Sequence, residues 1–244
     1  MPKFSQVVKG PKGYEVIRTK TGIPGLDKLL YGGIPKGNLV VISGGPGAGK
    51  TTLCLQYLYE GALKANEPGI YISLEPTKDE LIETGLEYGW DIQALIDKKM
   101  LEIVKVPLYD FEKLKTLIED LVDKHKAQRL VIDPAGLFKL FFDKELEVRK
   151  AILELGELLK KVGCTTLLTI EMEGTTKSAF YGLEEYIADG VVLLYHTQVA
   201  TMFVRTIAIL KMRGTKISEK LSPLKITEEG VEVLAEEEVF SESF

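Results

Sequence analysis

The sequence is poor in the residues that build disulfides and metal sites. Only two of its 244 residues are cysteines and two are histidines. Cys54 lies in a predicted helix and Cys164 begins a predicted buried strand, so we expect both to be small core residues rather than a disulfide or a metal site. His125 and His196 have no cysteine or histidine partner at the spacing of metal ligands, which argues against metal binding by histidine.

Long apolar runs are also missing. No run reaches the roughly 20 residues of a membrane-spanning helix, and residues 1–5 lack the apolar stretch of a signal peptide. We therefore expect a cytoplasmic protein without a membrane partner. Asparagine is scarce, with Asn38 and Asn66 alone beside abundant Glu, Lys and Ile, a composition that hints at a thermophilic source.

An excess of basic charge is the third absence. The net charge is -5, and seven of the 36 acidic residues but none of the 31 basic ones lie after Thr227. The body of the chain is therefore nearly neutral, and residues 235–244 are expected to form an acidic tail. The chain lacks the electrostatic footprint of proteins whose main task is to grip nucleic acid.

One glycine-rich stretch matches the phosphate-binding loop pattern G-x-x-x-x-G-K-[ST]. An apolar run at 39–43 before it predicts a buried parallel strand, and residues 52–63 after it predict a helix. The motif therefore has the strand, loop and helix context that it requires. It consists of Gly44, Gly45, Pro46, Gly47, Ala48, Gly49, Lys50, Thr51 and Thr52.

The residue types of this loop fit a nucleoside triphosphate and Mg²⁺. Glycines let successive backbone N–H groups approach and wrap a β-phosphate. The positive end of the following helix faces the same phosphates, and Lys50 can bridge the β- and γ-phosphates. The hydroxyl of Thr51 can ligate Mg²⁺. The guanine-reading signature of small GTPases is missing, so we expect ATP or ADP as the nucleotide.

Strands and helices alternate along most of the chain. This order predicts an α/β fold with a doubly wound, mostly parallel sheet and right-handed crossovers. From Gly190 onward, four β-rich runs follow one another without a helix, which predicts an antiparallel C-terminal extension at one edge. We expect one main domain at 19–234, an N-terminal arm at 1–18, and the acidic tail. The predicted strands are 14–19, 39–43, 69–75, 101–106, 130–133, 165–171, 191–195, 203–212, 224–227 and 231–234. The predicted helices are 52–63, 77–88, 110–126 and 146–162, with a short one within 21–30.

Three acidic residues end predicted parallel strands, and such strand ends share one crevice. Asp133 is placed to hold Mg²⁺ as the second acidic ligand, although it could instead cap the next turn. Glu75 is the candidate for the base that orients the attacking water, or else a carboxylate at a helix entry before Pro76. Glu171 could sense the γ-phosphate or merely sit at its strand end.

Five segments in order along the chain resemble the KaiC-like branch of the RecA/RadA ATPases. The likeness covers residues 19–234 and implies a RecA-like fold in a single domain, rather than the tandem pair of the clock protein. It also implies hexameric rings with ATP at each subunit boundary. In such a ring, Lys211 and Arg213 would act in trans as cations on the nucleotide of the neighbouring subunit. Without the resemblance, both cations could simply be solvated. The segments are 21–27, 44–52, 71–75, 181–189 and 210–215.

The chain departs from this family at three places. Pro76 follows Glu75, so the second of two adjacent glutamates in the clock protein is absent. Pro134 follows Asp133 where the family usually has a small hydroxyl residue. The phosphorylated Ser and Thr pair of the clock protein has no match, so we do not infer autokinase activity.

Three functions fit the sequence. The first is a Mg²⁺-dependent, slow ATPase that acts as a ring-forming switch on an unknown protein partner. The second is a recombination-type paralogue that binds single-stranded DNA, but its candidate loops, 172–180 and 196–202, carry Lys177 as their one basic residue beside Glu173, which makes a poor phosphate track. The third is a nucleotide-binding regulator without hydrolysis that works through the acidic tail, which could also be plainly disordered.

Overall fold

The computed structural model describes residues 5–9, 15–106, 111–134, 142, 144–172 and 187–237. Its twelve described strands are β1 (Ser5–Lys9), β2 (Glu15–Thr19), β3 (Ile34–Pro35), β4 (Leu39–Gly44), β5 (Gly69–Ser73), β6 (Leu101–Lys105), β7 (Arg129–Asp133), β8 (Thr165–Glu171), β9 (Gly190–Val199), β10 (Met202–Met212), β11 (Ser222–Thr227) and β12 (Gly230–Val233). Its described α-helices are α1 (Leu26–Leu29), α2 (Lys50–Glu60), α3 (Lys78–Glu87), α4 (Ile92–Asp97), α5 (Phe111–His125) and α6 (Glu145–Val162).

Nine of these strands form one sheet in the order β12-β11-β10-β9-β4-β8-β7-β5-β6. The strands from β9 to β6 in this order pair in parallel, whereas β10, β11 and β12 add antiparallel pairs at the other edge. The predicted doubly wound α/β fold with an antiparallel C-terminal extension is confirmed.

Side chains of the central strand β4 alternate between two apolar layers, because successive residues of a strand point to opposite faces. Val40 and Ile42 join the cluster that contains α1, α2, α3 and α4. Leu39 and Val41 join the cluster that contains α5 and α6. The phosphate-loop strand is therefore covered on both faces, as the unbroken apolar run predicts.

The N-terminal segment forms a second sheet in the order β1-β2-β3. β2 confirms the strand predicted at 14–19, and it runs across the predicted boundary between arm and domain. Arg18 of this strand is buried and donates from Nη1 to Gly33 O at 2.9 Å. The assignment of 1–18 as a separate arm stays a prediction.

Two helical details differ from the sequence prediction. α2 ends at Glu60 and continues as a π-helical turn over Gly61–Ala65, instead of staying α-helical to residue 63. The chain at Gly61 passes so close to Arg129 that a Cβ there would lie 2.3 Å from its Nε. α4 was not predicted, because its six residues are too short for a helical period to stand out.

Candidate nucleotide-binding site

The phosphate loop leaves the carboxyl end of β4 at Gly44 and enters α2 at Lys50. Gly47 and Gly49 adopt positive φ angles of 70° and 98°, which side chains rarely tolerate. A pocket of about 320 Å³ opens at the first turn of α2 and is lined by residues 47–52 and Ile226. The first turn of α2 places N-terminal backbone N–H groups of the helix at this pocket, as a phosphate site requires.

Lys50 lies inside the loop. Its Nζ donates to Gly44 O at 2.7 Å and to Gly45 O at 3.1 Å. Burial lowers the pKa of Lys50, while the negative charges of Glu171, Asp133 and Glu75 act in the opposite direction. The ammonium is therefore poorly hydrated and surrounded by carboxylates, a setting in which a phosphate can replace the two carbonyl acceptors.

Thr51 and Asp133 meet across the crevice between α2 and β7. Thr51 Oγ1 donates to Asp133 Oδ2 at 2.8 Å, and Asp133 is 3% exposed. The hydroxyls of Tyr71 and Thr169 also donate to the Asp133 carboxylate. Burial raises the pKa of Tyr71, helped by the negative charge of Asp133, so Tyr71 stays a neutral donor. The carboxylate is thereby fixed beside the hydroxyl that would share a cation with it.

These two oxygen ligands fit Mg²⁺, which prefers oxygens and keeps several waters or phosphate oxygens in its shell. No cluster of three or more His, Cys, Asp or Glu with metal-site geometry occurs in the described ranges. A cation at this site would therefore draw the rest of its ligands from the nucleotide and from water. With Pro134 after Asp133, the Asp133 carboxylate still contacts Thr51. The peptide bond between Asp133 and Pro134 is cis.

Glu75 and Glu171 lie at the same edge of the sheet. Glu171 is in register with Gly44, and Ser73, two residues before Glu75, is in register with Asp133. Both glutamates are exposed at the crevice, and their charges reach Lys50. α3 is capped by a reciprocal pair of Thr77 and Glu80, so Glu75 does not serve as the capping carboxylate.

The antiparallel strands β9, β10 and β11 supply contacts to the loop that the sequence does not predict. Arg205 Nε donates to Gly47 O at 2.9 Å, and its cross-strand partner is His196. A Cβ on Gly47 would lie 3.1 Å from His196 Nδ1, and one on Gly49 would lie 3.2 Å from Ile226 Cδ1. No local motif marks these residues, because only the pairing of β9, β10 and β11 with the sheet brings them to the loop.

Lys211 and Arg213 lie at the opposite end of the sheet from the loop of their own chain. Met212 pairs with Gly190, and Gly190 pairs with Val40 near the start of β4. Four further residues of β4, or about 13 Å at the usual strand rise, separate this position from Gly44. The structure therefore brings Lys50, Thr51, Glu75, Asp133 and Glu171 together, but not the two C-terminal cations.

Parts of several predicted segments lie outside the described residues. These include residues 1–4 and 10–14 of the N-terminal arm, residues 173–180 of the first candidate DNA loop, residues 181–186 of a family-like segment and residues 238–244 of the acidic tail. In the described part of the chain, no helix is both long and apolar enough to cross a bilayer.

These features define a RecA-like nucleotide-binding fold. They are a parallel sheet with a phosphate loop after its central strand, a hydroxyl and a buried carboxylate that meet beside this loop, and an antiparallel edge. The chain belongs to the KaiC ATPase family, whose model matches residues 19–238.

The chain is similar to the circadian clock oscillator protein KaiC of Parathermosynechococcus lividus, with 34% identity over 88% of this chain and 42% of that protein. It is also similar to a UPF0273 protein of Methanocaldococcus jannaschii, with 31% identity over 88% of this chain and 95% of that one. A solved structure of a KaiC-like protein from Pyrococcus horikoshii superposes with a TM-score of 0.82 at 36% identity, covering 89% of this chain and 99% of that chain. The chain thus spans less than half of the clock protein but matches single-domain relatives almost end to end.

Proposed function

We propose that this protein is a Mg²⁺-dependent ATPase that acts as a molecular switch in a ring of identical subunits, as the resemblance to hexameric relatives implies. The contact of Thr51 with Asp133 beside Lys50 carries the proposal. This trio offers a cation for the phosphates and two oxygen ligands for a metal ion in one crevice, which a purely structural loop would not need.

Each of these residues has a role in hydrolysis. Lys50 neutralises charge on the β- and γ-phosphates, and the loop amides hold the β-phosphate. Thr51 and Asp133 would hold Mg²⁺, which would supply further positive charge to stabilise the phosphates. Glu75 orients a water molecule and accepts its proton as the water oxygen bonds to the γ-phosphorus. The bond to the bridging oxygen then breaks, leaving ADP and phosphate.

The placement of Lys211 and Arg213 supports a site shared between subunits. Because they lie at the far end of the sheet, they can serve only the nucleotide of another protomer. A head-to-tail contact joins the loop end of one subunit to the far end of the next, and such contacts close into rings.

Two variants test the chemistry of the site. We expect Lys50→Ala to lose both tight nucleotide binding and turnover, and Glu75→Gln to keep nucleotide binding while turnover falls at least ~100-fold. Glu83→Gln, which removes an exposed carboxylate on α3, is the matched control and should keep wild-type turnover. Nucleotide binding is measured by calorimetry, and turnover by phosphate release with and without Mg²⁺.

Two results would contradict the proposal. Tight ADP binding without measurable turnover would indicate a regulator that does not hydrolyse ATP. Binding of single-stranded DNA that weakens steeply with salt would indicate a recombination-type paralogue.

A further inference from the structure

Asp189 lies where the far end of the sheet meets the segment that contains Lys211 and Arg213. It directly precedes β9 and is 6% exposed. We infer that Asp189 is a positioning residue that presents Arg213 to the nucleotide of the neighbouring protomer. This inference rests on the proposed function, because it assigns a role to Asp189 only within a shared site.

The carboxylate of Asp189 is itself fixed on β4. Leu39 N–H donates to Asp189 Oδ2 at 3.2 Å, and Asp189 N–H donates to Leu39 O at 2.8 Å. Leu39 is the first residue of the strand that ends in the phosphate loop. Asp189 therefore has a rigid support. Its position is fixed directly by the strand that carries the nucleotide site of its own protomer.

Asp189 holds Arg213 at two points. Arg213 N–H donates to Asp189 O at 2.7 Å, which fixes the backbone. Arg213 Nη1 lies 3.2 Å from Asp189 Oδ1, while the Arg213 side chain is 60% exposed. A guanidinium has five N–H donors, so this ion pair orients the group and leaves other donors for a phosphate.

The turn after β10 is held from its other side as well. Thr215 N–H donates to Met212 O at 3.1 Å, and Gly214 has a φ of 73°. Arg18 Nη1 donates to Thr215 Oγ1 at 2.7 Å. Arg213 thus projects from a tight turn with anchors on both sides, and Asp189 is the anchor that touches its guanidinium.

Lys160 provides the comparison that separates charge pairing from positioning. Its Nζ lies 3.3 Å from the same Oδ1, but it comes from α6 and is 48% exposed. If Asp189 served only to neutralise nearby positive charge, removing Lys160 and removing Arg213 would have similar consequences. A positioning role makes only the Arg213 pair matter for hydrolysis.

The test uses Asp189→Asn in the full chain. The amide oxygen can still accept from Leu39 N–H, so the support on β4 is retained. The position of Oδ1 becomes an NH2 group, which cannot accept from Arg213. We expect nucleotide affinity within twofold of wild type and turnover reduced at least tenfold, as for Arg213→Ala. The double variant Asp189→Asn/Arg213→Ala should be no slower than Arg213→Ala alone. Lys160→Met is the control and should keep wild-type turnover.

Mixed rings give a readout that a merely structural defect would not produce. Glu75→Gln subunits bind nucleotide and retain Arg213, whereas Asp189→Asn subunits retain an intact site of their own. In an equimolar mixture, roughly one interface in four combines an Asp189→Asn site with a wild-type Arg213 donor, given random head-to-tail pairing. Turnover of the mixture should therefore exceed that of either variant alone.

The outcomes separate the inference from the proposed function. Rescue of Arg213→Ala by Glu75→Gln subunits would support the shared site. If, in addition, Asp189→Asn turns over like wild type, or is slow and is not rescued, the positioning role of Asp189 is overturned. If neither Arg213→Ala nor Asp189→Asn is rescued, both the shared site and the role of Asp189 are contradicted.

Discussion

At the scale of single residues, three hydrogen-bond donors fix the orientation of the Asp133 carboxylate. Thr51, Tyr71 and Thr169 all donate to its carboxylate. The sequence indicates Asp133 from its position at a strand end, and Thr51 from the loop motif. Tyr71 and Thr169 carry no such signal, because they face the site only through the strand order β8-β7-β5.

Tyr71→Phe tests whether this donor orients the carboxylate for Mg²⁺. A lost hydrogen bond to a charged group is worth about 1.5–3 kcal/mol, so we expect the Mg²⁺ concentration for half-maximal hydrolysis to rise about tenfold or more. Nucleotide binding without Mg²⁺ should not change. The measurement is phosphate release across a Mg²⁺ titration.

Tyr57→Phe is the matched control, because Tyr57 is equally buried and its hydroxyl donates to Thr165 O at 3.0 Å, away from Asp133. It should lower stability and leave the Mg²⁺ dependence unchanged. Equal Mg²⁺ titrations for wild type and Tyr71→Phe would show that the Tyr71 hydroxyl does not orient Asp133 for the cation.

At the scale of elements, Arg129 joins the end of α2 to the start of β7. It is 1% exposed, and Nε donates to Glu67 Oε2 at 2.7 Å. Nη1 and Nη2 donate to Tyr57 O and Lys20 O, each at 2.8 Å. The guanidinium therefore occupies the space beside Gly61, where the sequence predicts a continuing α-helix and the structure has a π-helical turn.

We expect Arg129→Met to destabilise the fold by about 3–5 kcal/mol, because it leaves the Glu67 carboxylate without its partner in a buried site. Glu67→Gln should cost a similar amount, and the double variant less than the sum of the two. The free energy of unfolding is measured by urea titration.

The exposed pair of Lys161 and Glu119, whose Nζ and Oε1 are 3.0 Å apart, provides the control. Lys161→Ala should cost less than ~1 kcal/mol. Similar losses for Lys161→Ala and Arg129→Met would mean that the buried pair contributes no more than a surface pair.

At the scale of the whole molecule, the two ends of the sheet differ in what they offer. In the proposed function, the loop end binds phosphates and the far end presents Lys211 and Arg213 to the nucleotide of a second copy. Assembly and nucleotide binding should therefore be linked.

Oligomer mass tests this linkage directly. We expect a non-hydrolysable ATP analogue to shift the protein towards rings, with mass measured by light scattering after size exclusion. Arg213→Ala should weaken this shift, and so should high salt, because the guanidinium and the triphosphate carry opposite charges. A chain that stays monomeric in every nucleotide state would contradict the shared site.

Alkaline pH gives a second test of the whole fold. Burial raises the pKa values of Tyr57 and Tyr71 above 10 and that of Cys164 to about 11. Groups whose folded-state pKa is raised contribute stability that is present below their ordinary pKa and is lost as pH rises towards the folded value. Lys50, whose pKa burial lowers, acts with the opposite sign.

We therefore expect the free energy of unfolding to fall as pH rises above about 9, the ordinary pKa of cysteine, and more steeply above 10, that of tyrosine. Cys164→Ala and Tyr57→Phe should each show a shallower decline than wild type. Urea titrations at a series of alkaline pH values measure this. Parallel pH profiles for the variants and wild type would contradict it.

Local patterns in the sequence are enough to predict two features. An apolar run, a glycine-rich loop and a helix predict the phosphate site, and alternating strands and helices predict the α/β class. These are local properties, because periodicity and backbone freedom act over a few residues. The fold is needed to see that Tyr71 and Thr169 donate to Asp133, that Arg205 and Ile226 reach the loop, and that Lys211 and Arg213 lie at the other end of the sheet. Those facts depend on strand pairing and register between residues far apart in sequence, which no local pattern encodes.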